Sequence, residues 1–300
     1  MLKVAWDTRY VLPLPAGHRF PMEKYELLPK QLLYEGTLTN ENFFSPSPCE
    51  DRDILAVHSD EYFKQLKELT LSKSDIRKSG FPLSQELIER EVLIAGGTVQ
   101  CTEYALKYGI SMNIAGGTHH AFKDAPEGFC LLNDQAIAAQ RLLRLGKVSR
   151  ILIVDLDVHQ GNGTAKLFSE TSNIFTFSMH GEKNYPLHKE VSDVDVELSD
   201  GTGDDSYLNT LQTKLSEITA AFHPDFVFYQ AGVDVLETDK LGRLSLSNTG
   251  CAHRDEMVFD FFRSRDLPVV VCMGGGYSPR IKDILDAHAN TFRIAARYFD

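Results

Sequence analysis

Ile151-Leu152-Ile153-Val154-Asp155-Leu156-Asp157-Val158-His159-Gln160-Gly161-Asn162-Gly163 is the stretch that decides the fold. An apolar run ends in Asp155, Asp157 and His159 at every second position, and a glycine-rich turn follows. Side chains at i, i+2 and i+4 of a β-strand point to one side. The spacing therefore predicts that these three groups leave a buried strand together. Carboxylates and an imidazole at a strand end contribute little to packing, and Asp157 with His159 reads as one edge of a metal site. A glycine pair precedes His119 and His120 in Gly116-Gly117-Thr118-His119-His120, and two further glycine-bearing segments carry Asp234 and Tyr277: Ala231-Gly232-Val233-Asp234 and Gly274-Gly275-Gly276-Tyr277.

Each of these segments follows an apolar run. Such runs predict strands over residues 2–6, 112–115, 150–155, 174–178, 226–230 and 268–273. Helical patterns lie between them, over residues 84–108, 135–145, 207–222, 253–263 and from Ser278-Pro279 to Tyr298. Ser84 reads as an N-cap, Glu86 as a first-turn carboxylate favoured by the helix dipole, and Gly146 as an end cap. Strands alternating with helices predict an α/β fold, its mostly parallel sheet covered on both faces. Ligands of such sheets collect at the carboxyl ends of strands. No repeat, low-complexity tract or flexible tether divides residues 1–300, so a single domain is expected.

The bulk numbers are those of a globular chain, 43% apolar and 24% charged. A net charge of −11 argues against nucleic-acid binding. It is compatible with a cationic substrate, such as an acylated Lys-rich segment or a polyamine, although solubility alone commonly accounts for acidity. The five cysteines, at 49, 101, 130, 251 and 272, are widely spaced with no Cys-x-x-Cys pair, and read as reduced thiols. Nothing at the amino terminus reads as a signal peptide, and no run is long enough for a membrane span. A soluble cytoplasmic protein is expected.

Taken together, the tandem histidines, the Asp-x-Asp-x-His strand end, Gly128-Phe129-Cys130 and the Gly-Gly-Gly-Tyr turn resemble the zinc-dependent histone deacetylase family in its broad sense. The resemblance covers nearly the whole chain. Asp7-Thr8-Arg9-Tyr10, His18-Arg19-Phe20-Pro21 and Val57-His58-Ser59-Asp60-Glu61-Tyr62 are similar to the small class IV-like branch. The resemblance implies the three-layer α/β/α arginase–deacetylase fold. It supplies Asp234 as the third zinc ligand beside Asp157 and His159; by itself, an aspartate after a strand commonly caps the next loop. Three such ligands leave a coordination position open. Fe(II) and Mn(II) also suit an oxygen-rich site, and the sequence does not choose among them. A structural potassium ion is implied at Asp155, Asp157, His159, Ser178 and Met179, partly through main-chain carbonyls.

Two histidines in tandem at a strand exit point to proton transfer. By resemblance, Asp155 orients His119, and Asn162 stands where a partner of His120 belongs. Asn stabilises an imidazolium less than Asp does, so His120 is expected to be less basic than a histidine paired to Asp. Tyr277 reads either as an aromatic packed over a flexible turn or as a phenol donating to a developing oxyanion. By resemblance, Phe129 forms one wall of an acyl-lysine tunnel, the Gly128 carbonyl receives the substrate amide N–H, Tyr185 is a candidate for the facing wall, and Gly275 belongs to the substrate-binding set. His18, His180 and His188 are left as loop or rim residues. The activity implied is hydrolysis of acetyl- or longer acyl-lysine, or alternatively of a small acylated amine such as an acetylpolyamine. A non-catalytic acyl-lysine binder would be expected to have lost one of these groups.

Overall fold

The computed structural model describes residues 1–299. One all-parallel sheet of eight strands runs through it: β1 (Lys3–Ala5), β2 (Phe43–Phe44), β3 (Ile110–Asn113), β4 (Ile151–Asp155), β5 (Ile174–Gly181), β6 (Val194–Leu198), β7 (Phe226–Gln230) and β8 (Val269–Cys272). The spatial order is β2-β1-β3-β8-β7-β4-β5-β6. The central strands β3, β8, β7 and β4 are buried at every position. This explains their near-continuous apolar sequences, since both faces of a parallel sheet are covered.

The helices are α1 (Lys24–Tyr34), α2 (Asp51–Ile54), α3 (Asp60–Lys67), α4 (Lys73–Ser79), α5 (Gln85–Tyr108), α6 (Asp134–Arg144), α7 (Asn162–Phe168), α8 (Asp204–Phe222), α9 (Asn248–Arg263) and α10 (Ile281–Phe299). One group centres on α5, which packs over β1, β3 and β8 and against α6. A second group packs in series, α8 on α9, α9 on α10 and α10 on α1. The result is the expected three-layer α/β/α architecture.

Local chemistry sets several boundaries. The Ser84 side chain accepts from the Leu87 N–H, as an N-cap does, and Gly109 ends α5 at φ +86°. That turn feeds directly into β3, which therefore starts two residues before the apolar run predicts. Asn113 stays in β3 but breaks its apolar run to bond α5, its Nδ2 donating to the Ile94 carbonyl at 3.0 Å. The last helix begins at Ile281, not at Ser278-Pro279, because Ser278 still belongs to the preceding turn, 2.9 Å from the Thr238 hydroxyl. Helix α1 contains Pro29, which has no N–H for the Tyr25 carbonyl. The Trp6 indole supplies the missing donor at 2.8 Å.

All five cysteines are buried and unbridged. Among the described residues, no helix is long and apolar enough to cross a membrane.

Helix α5 crosses the 47–49 segment at Gly96, where an added Cβ would overlap the Ser47 carbonyl oxygen and lie 2.8 Å from the Cys49 nitrogen. Helix propensity alone predicts that Gly96→Ala stabilises the fold by about 1 kcal/mol. Overpacking against backbone predicts the opposite, a loss of about 1–3 kcal/mol. The expected outcome is destabilisation, read as a lower denaturant midpoint.

Candidate active site and metal centre

Parallel order places the carboxyl ends of β3, β8, β7 and β4 side by side, and the candidate residues lie just beyond them. The turn after β3 carries His119 and His120. Asp134, at the start of α6, fixes it by accepting from the Gly117 N–H at 3.1 Å, the Thr118 N–H at 2.8 Å and the Thr118 hydroxyl at 2.7 Å. Gln230, at the end of β7, donates to the Gly117 carbonyl at 2.8 Å and accepts from Gln135 at 2.8 Å.

Strand β4 stops at Asp155, so Asp157 and His159 are not presented by strand pleating as the spacing predicts. They lie on a tight turn. The Asp157 N–H donates to Asp155 Oδ1 at 3.1 Å, and the His159 N–H donates to Asp157 Oδ1 at 3.0 Å. These side-chain-to-backbone bonds curl the chain and bring both groups to the same site. Asp234 arrives from the β7 side and accepts from the Val158 N–H at 2.9 Å.

Potential ligand atoms of Asp157, His159 and Asp234 all lie within 4.8 Å of one another, and all three residues are buried. His159 Nδ1 is 3.0 Å from Asp157 Oδ1 and 3.2 Å from Asp234 Oδ2. Burial and the neighbouring Asp157 charge push the Asp234 carboxyl up to about 7. Burial works against a charged His159, but Asp157 and Asp234 hold the imidazole up at about 10. The cluster calls for positive charge at its centre, a proton or a cation. Asp234 Oδ2 is buried without a hydrogen-bond partner among the described residues. Gly275 completes the cradle. Its N–H donates to Asp157 Oδ2 at 2.8 Å, and a Cβ there would overlap Asp234 Oδ2. This donor set, two carboxylates and an imidazole, fits zinc with a position left open.

The histidines differ sharply. His119 Nδ1 lies 2.6 Å from Asp155 Oδ2. Burial disfavours its charge, yet Asp155 outweighs that and holds His119 at about 9. His120 Nδ1 lies 2.6 Å from Asn162 Oδ1. Burial and the neighbouring His119 and His159 drive His120 well below its usual value, only partly opposed by Asn162. Asn162 is oriented in turn, its Nδ2 donating to Glu127 Oε1 at 3.2 Å. Its carbonyl oxygen therefore faces His120, which places the ring proton on Nδ1 and leaves Nε2 as an acceptor.

Tyr277 is 8% exposed and lines both an inner cavity and an outer one of about 400 Å³. Its ring centroid lies 6.3 Å from that of His159 and 6.0 Å from that of Phe129. The turn Glu127–Cys130 presents Phe129, with Gly128 at φ +52° and Phe129 at φ +68°. Left-handed backbone is unusual for an aromatic residue. Two bonds between Glu127 and Cys130, at 3.0 and 2.8 Å, hold it there. Tyr185 faces this wall across the outer cavity, 5.2 Å from His120 between ring centroids, and donates its hydroxyl to Glu127. Ser178 pairs with Asp155 across β5 and β4, and Met179 follows it, fully buried.

Three positions differ from the sequence reading. His180 is not a loop or rim residue: it lies on β5, fully buried, its Nδ1 2.9 Å from the Ser178 hydroxyl. Lys24, to which sequence analysis assigned no role, is fully buried, and its Nζ donates to the Gly274 carbonyl at 3.2 Å. The ammonium lies 5.7 Å from the Tyr277 ring centre and 5.2 Å from that of Phe20. Burial lowers Lys24 to about 8 against the pull of Asp234, Asp157 and Asp239. Asp239 was also missed; it holds the turn that carries Tyr277 by accepting from the Tyr277 N–H at 2.6 Å.

Comparison with known proteins agrees with this geometry. The histone deacetylase domain family matches residues 18–292, and the chain belongs to that family. An uncharacterised protein of Picosynechococcus is 41% identical over 292 residues, 97% of each chain. Histone deacetylase 2 of Arabidopsis thaliana is 33% identical over 271 residues, 87% of this chain and 70% of that one. The crystal structure of an HDAC homologue from Aquifex aeolicus superposes with a TM-score of 0.84 at 26% identity, covering 97% of this chain and 82% of that one. An HDAC homologue complexed with SAHA superposes with a TM-score of 0.85 at 26% identity, over the same shares of both chains.

Removing a central carboxylate tests the metal cradle directly. Asp157→Ala is expected to lose stoichiometric zinc while keeping the wild-type circular dichroism. Unchanged zinc content by elemental analysis would reject the ligand assignment.

Proposed function

We propose that this chain is a single zinc-dependent catalytic domain of the small class IV-like branch, which hydrolyses the side-chain amide of acetyl-lysine or longer acyl-lysine. One observation carries the reading. Two adjacent histidines of opposite basicity stand beside a buried Asp-His-Asp cluster at the base of a cavity that opens outward. The deacetylase relatives and the SAHA complex of a homologue support the same substrate class.

Asp157, His159 and Asp234 would hold zinc, which would supply a Lewis acid and lower the pKa of water toward neutrality. The acyl-lysine enters between Phe129 and Tyr185, and its amide N–H donates to the Gly128 carbonyl. Neutral His120 accepts the proton of the attacking water at Nε2, because Nδ1 is committed to Asn162. His119, kept protonated by Asp155, offsets the negative charge that builds on the substrate. Burial and the nearby Asp234 and Asp157 charges keep the Tyr277 phenol far above its usual pKa, so it stays a donor to the oxyanion. His120 then returns the proton to the leaving amine, giving a carboxylate and free lysine.

The reading extends to a structural potassium ion that would be held at Asp155, Asp157, His159, Ser178 and Met179, partly through main-chain carbonyls. The pairing of Asp155 with Ser178 on adjacent strands supports it. A cytoplasmic location is part of the same proposal.

The direct test is turnover of acetyl- and longer acyl-lysine peptides by zinc-loaded protein. Bound zinc without turnover across such a panel would favour a non-catalytic binder. Tyr277→Phe is expected to lose ~10²–10³ in rate while folding normally; a fully active variant removes the phenol from the chemistry. The pH profile tests His120. Its low pKa places the acid limb of kcat below pH 6.5, since the base works only when neutral. Asn162→Asp adds a carboxylate that favours the imidazolium, so the limb should move to higher pH by about one unit or more. An unmoved limb would assign that limb to another group.

A further inference from the structure

We infer that the mouth of this site selects acyl-lysines flanked by acidic residues; the inference rests on the acyl-lysine reading above. The residues lining the outer cavity include Arg19, Arg77 and Lys78 and no carboxylate. The chain carries 42 acidic and 31 basic side chains, so this concentration of positive charge runs against its overall sign. All three side chains are exposed. Among the described residues none of them has a carboxylate partner, whereas most arginines of the chain do, including Arg9, Arg52, Arg243 and Arg297 on the surface.

These cations are built into the tunnel wall. The Gly128 N–H donates to the Lys78 carbonyl at 3.0 Å, and the Phe129 N–H donates to the Ser79 carbonyl at 2.9 Å. The last turn of α4 and the Phe129 turn are therefore one unit. Arg19 joins from a distant loop, its guanidinium carbon 5.0 Å from the Phe129 ring centre. The preceding residue anchors that loop, His18 Nε2 lying 2.8 Å from the Gly80 carbonyl oxygen. The dipole of α4 accounts for Arg77 and Lys78 as helix-end cations, but it does not account for Arg19. Glu127, on the same turn but outside the cavity lining, is engaged by the Tyr185 hydroxyl and by Asn162.

The acylated lysine is itself neutral, so what meets the mouth is the charge of the residues on either side. Acidic neighbours are attracted, while a Lys-rich segment or a polyamine is repelled. This reverses the substrate sign that the net charge of −11 suggests. Exposed pairs are individually weak, and together they amount to a modest, salt-sensitive preference.

The experiment compares kcat/KM of the zinc-loaded full chain on three acetyl-lysine peptides that differ only in flanking acidic, neutral or basic residues, with an acetylpolyamine as a fourth substrate. At low salt the acidic peptide is expected to exceed the neutral one by about 5- to 20-fold. The ratio should shrink at high salt and invert in the Arg77→Glu, Lys78→Glu double variant. Each ratio is internal to one protein preparation, so partial misfolding cancels. A flat charge profile with good turnover, a ratio untouched by charge reversal, or preference for the acetylpolyamine overturns the inference while leaving amide hydrolysis in place. Absence of turnover on every peptide refutes the acyl-lysine reading and the inference with it.

Discussion

Two carboxylates, Asp157 and Asp234, are buried within reach of each other and of one imidazole. Like charges removed from water repel strongly and cost several kcal/mol per ion unless compensated. A fold that holds them there must pin each one and reserve room for positive charge between them. Much of what surrounds the site follows from that demand. Asp157 is tied by the N–H groups of Gly275 and His159, and Asp234 by that of Val158. Arg254, fully buried, donates to the Gly232 carbonyl at 2.6 Å and braces the turn leading to Asp234.

The same principle divides labour between the two histidines. Their rings are 4.1 Å apart between centroids and share one desolvated environment, so a difference in partner decides the difference in charge. The Asp155 carboxylate lifts His119 against burial, whereas burial and the nearby His119 and His159 lower His120 against the weaker pull of the Asn162 amide. Both histidines come from one turn, and the network of Asp134, Gln135 and Gln230 sets their spacing. Chemistry at the centre thus depends on polar groups that never approach a substrate.

Legibility in the sequence followed burial. β7 spans the range its apolar run predicts, and β4 ends at the expected Asp155, because both are covered on two faces. β6 alternates Val and Leu with Asp and Glu on the edge of the sheet, so it carries no apolar run to find. α1 was hidden by Pro29, whose lost bond is supplied by a tertiary contact that local pattern cannot reveal. At the site, chemically distinctive residues were readable from type and order: Asp157 with His159 on their own, Asp234 through family resemblance. Lys24, Asp134 and Asp239 were not, since a lone charged residue in a polar segment looks the same whether it faces water or a buried loop. The charge of the mouth was also hidden, because composition sums over the surface while a substrate meets only part of it.

The contact between the Trp6 indole and the Tyr25 carbonyl has a practical consequence. Trp6 is the chain's only tryptophan. Its nitrogen is bonded to the first turn of the helix that carries Lys24 beneath the tyrosine loop. Its fluorescence emission is therefore a single-site optical reporter of how firmly the amino-terminal segment is seated against the sheet, readable without label or substrate.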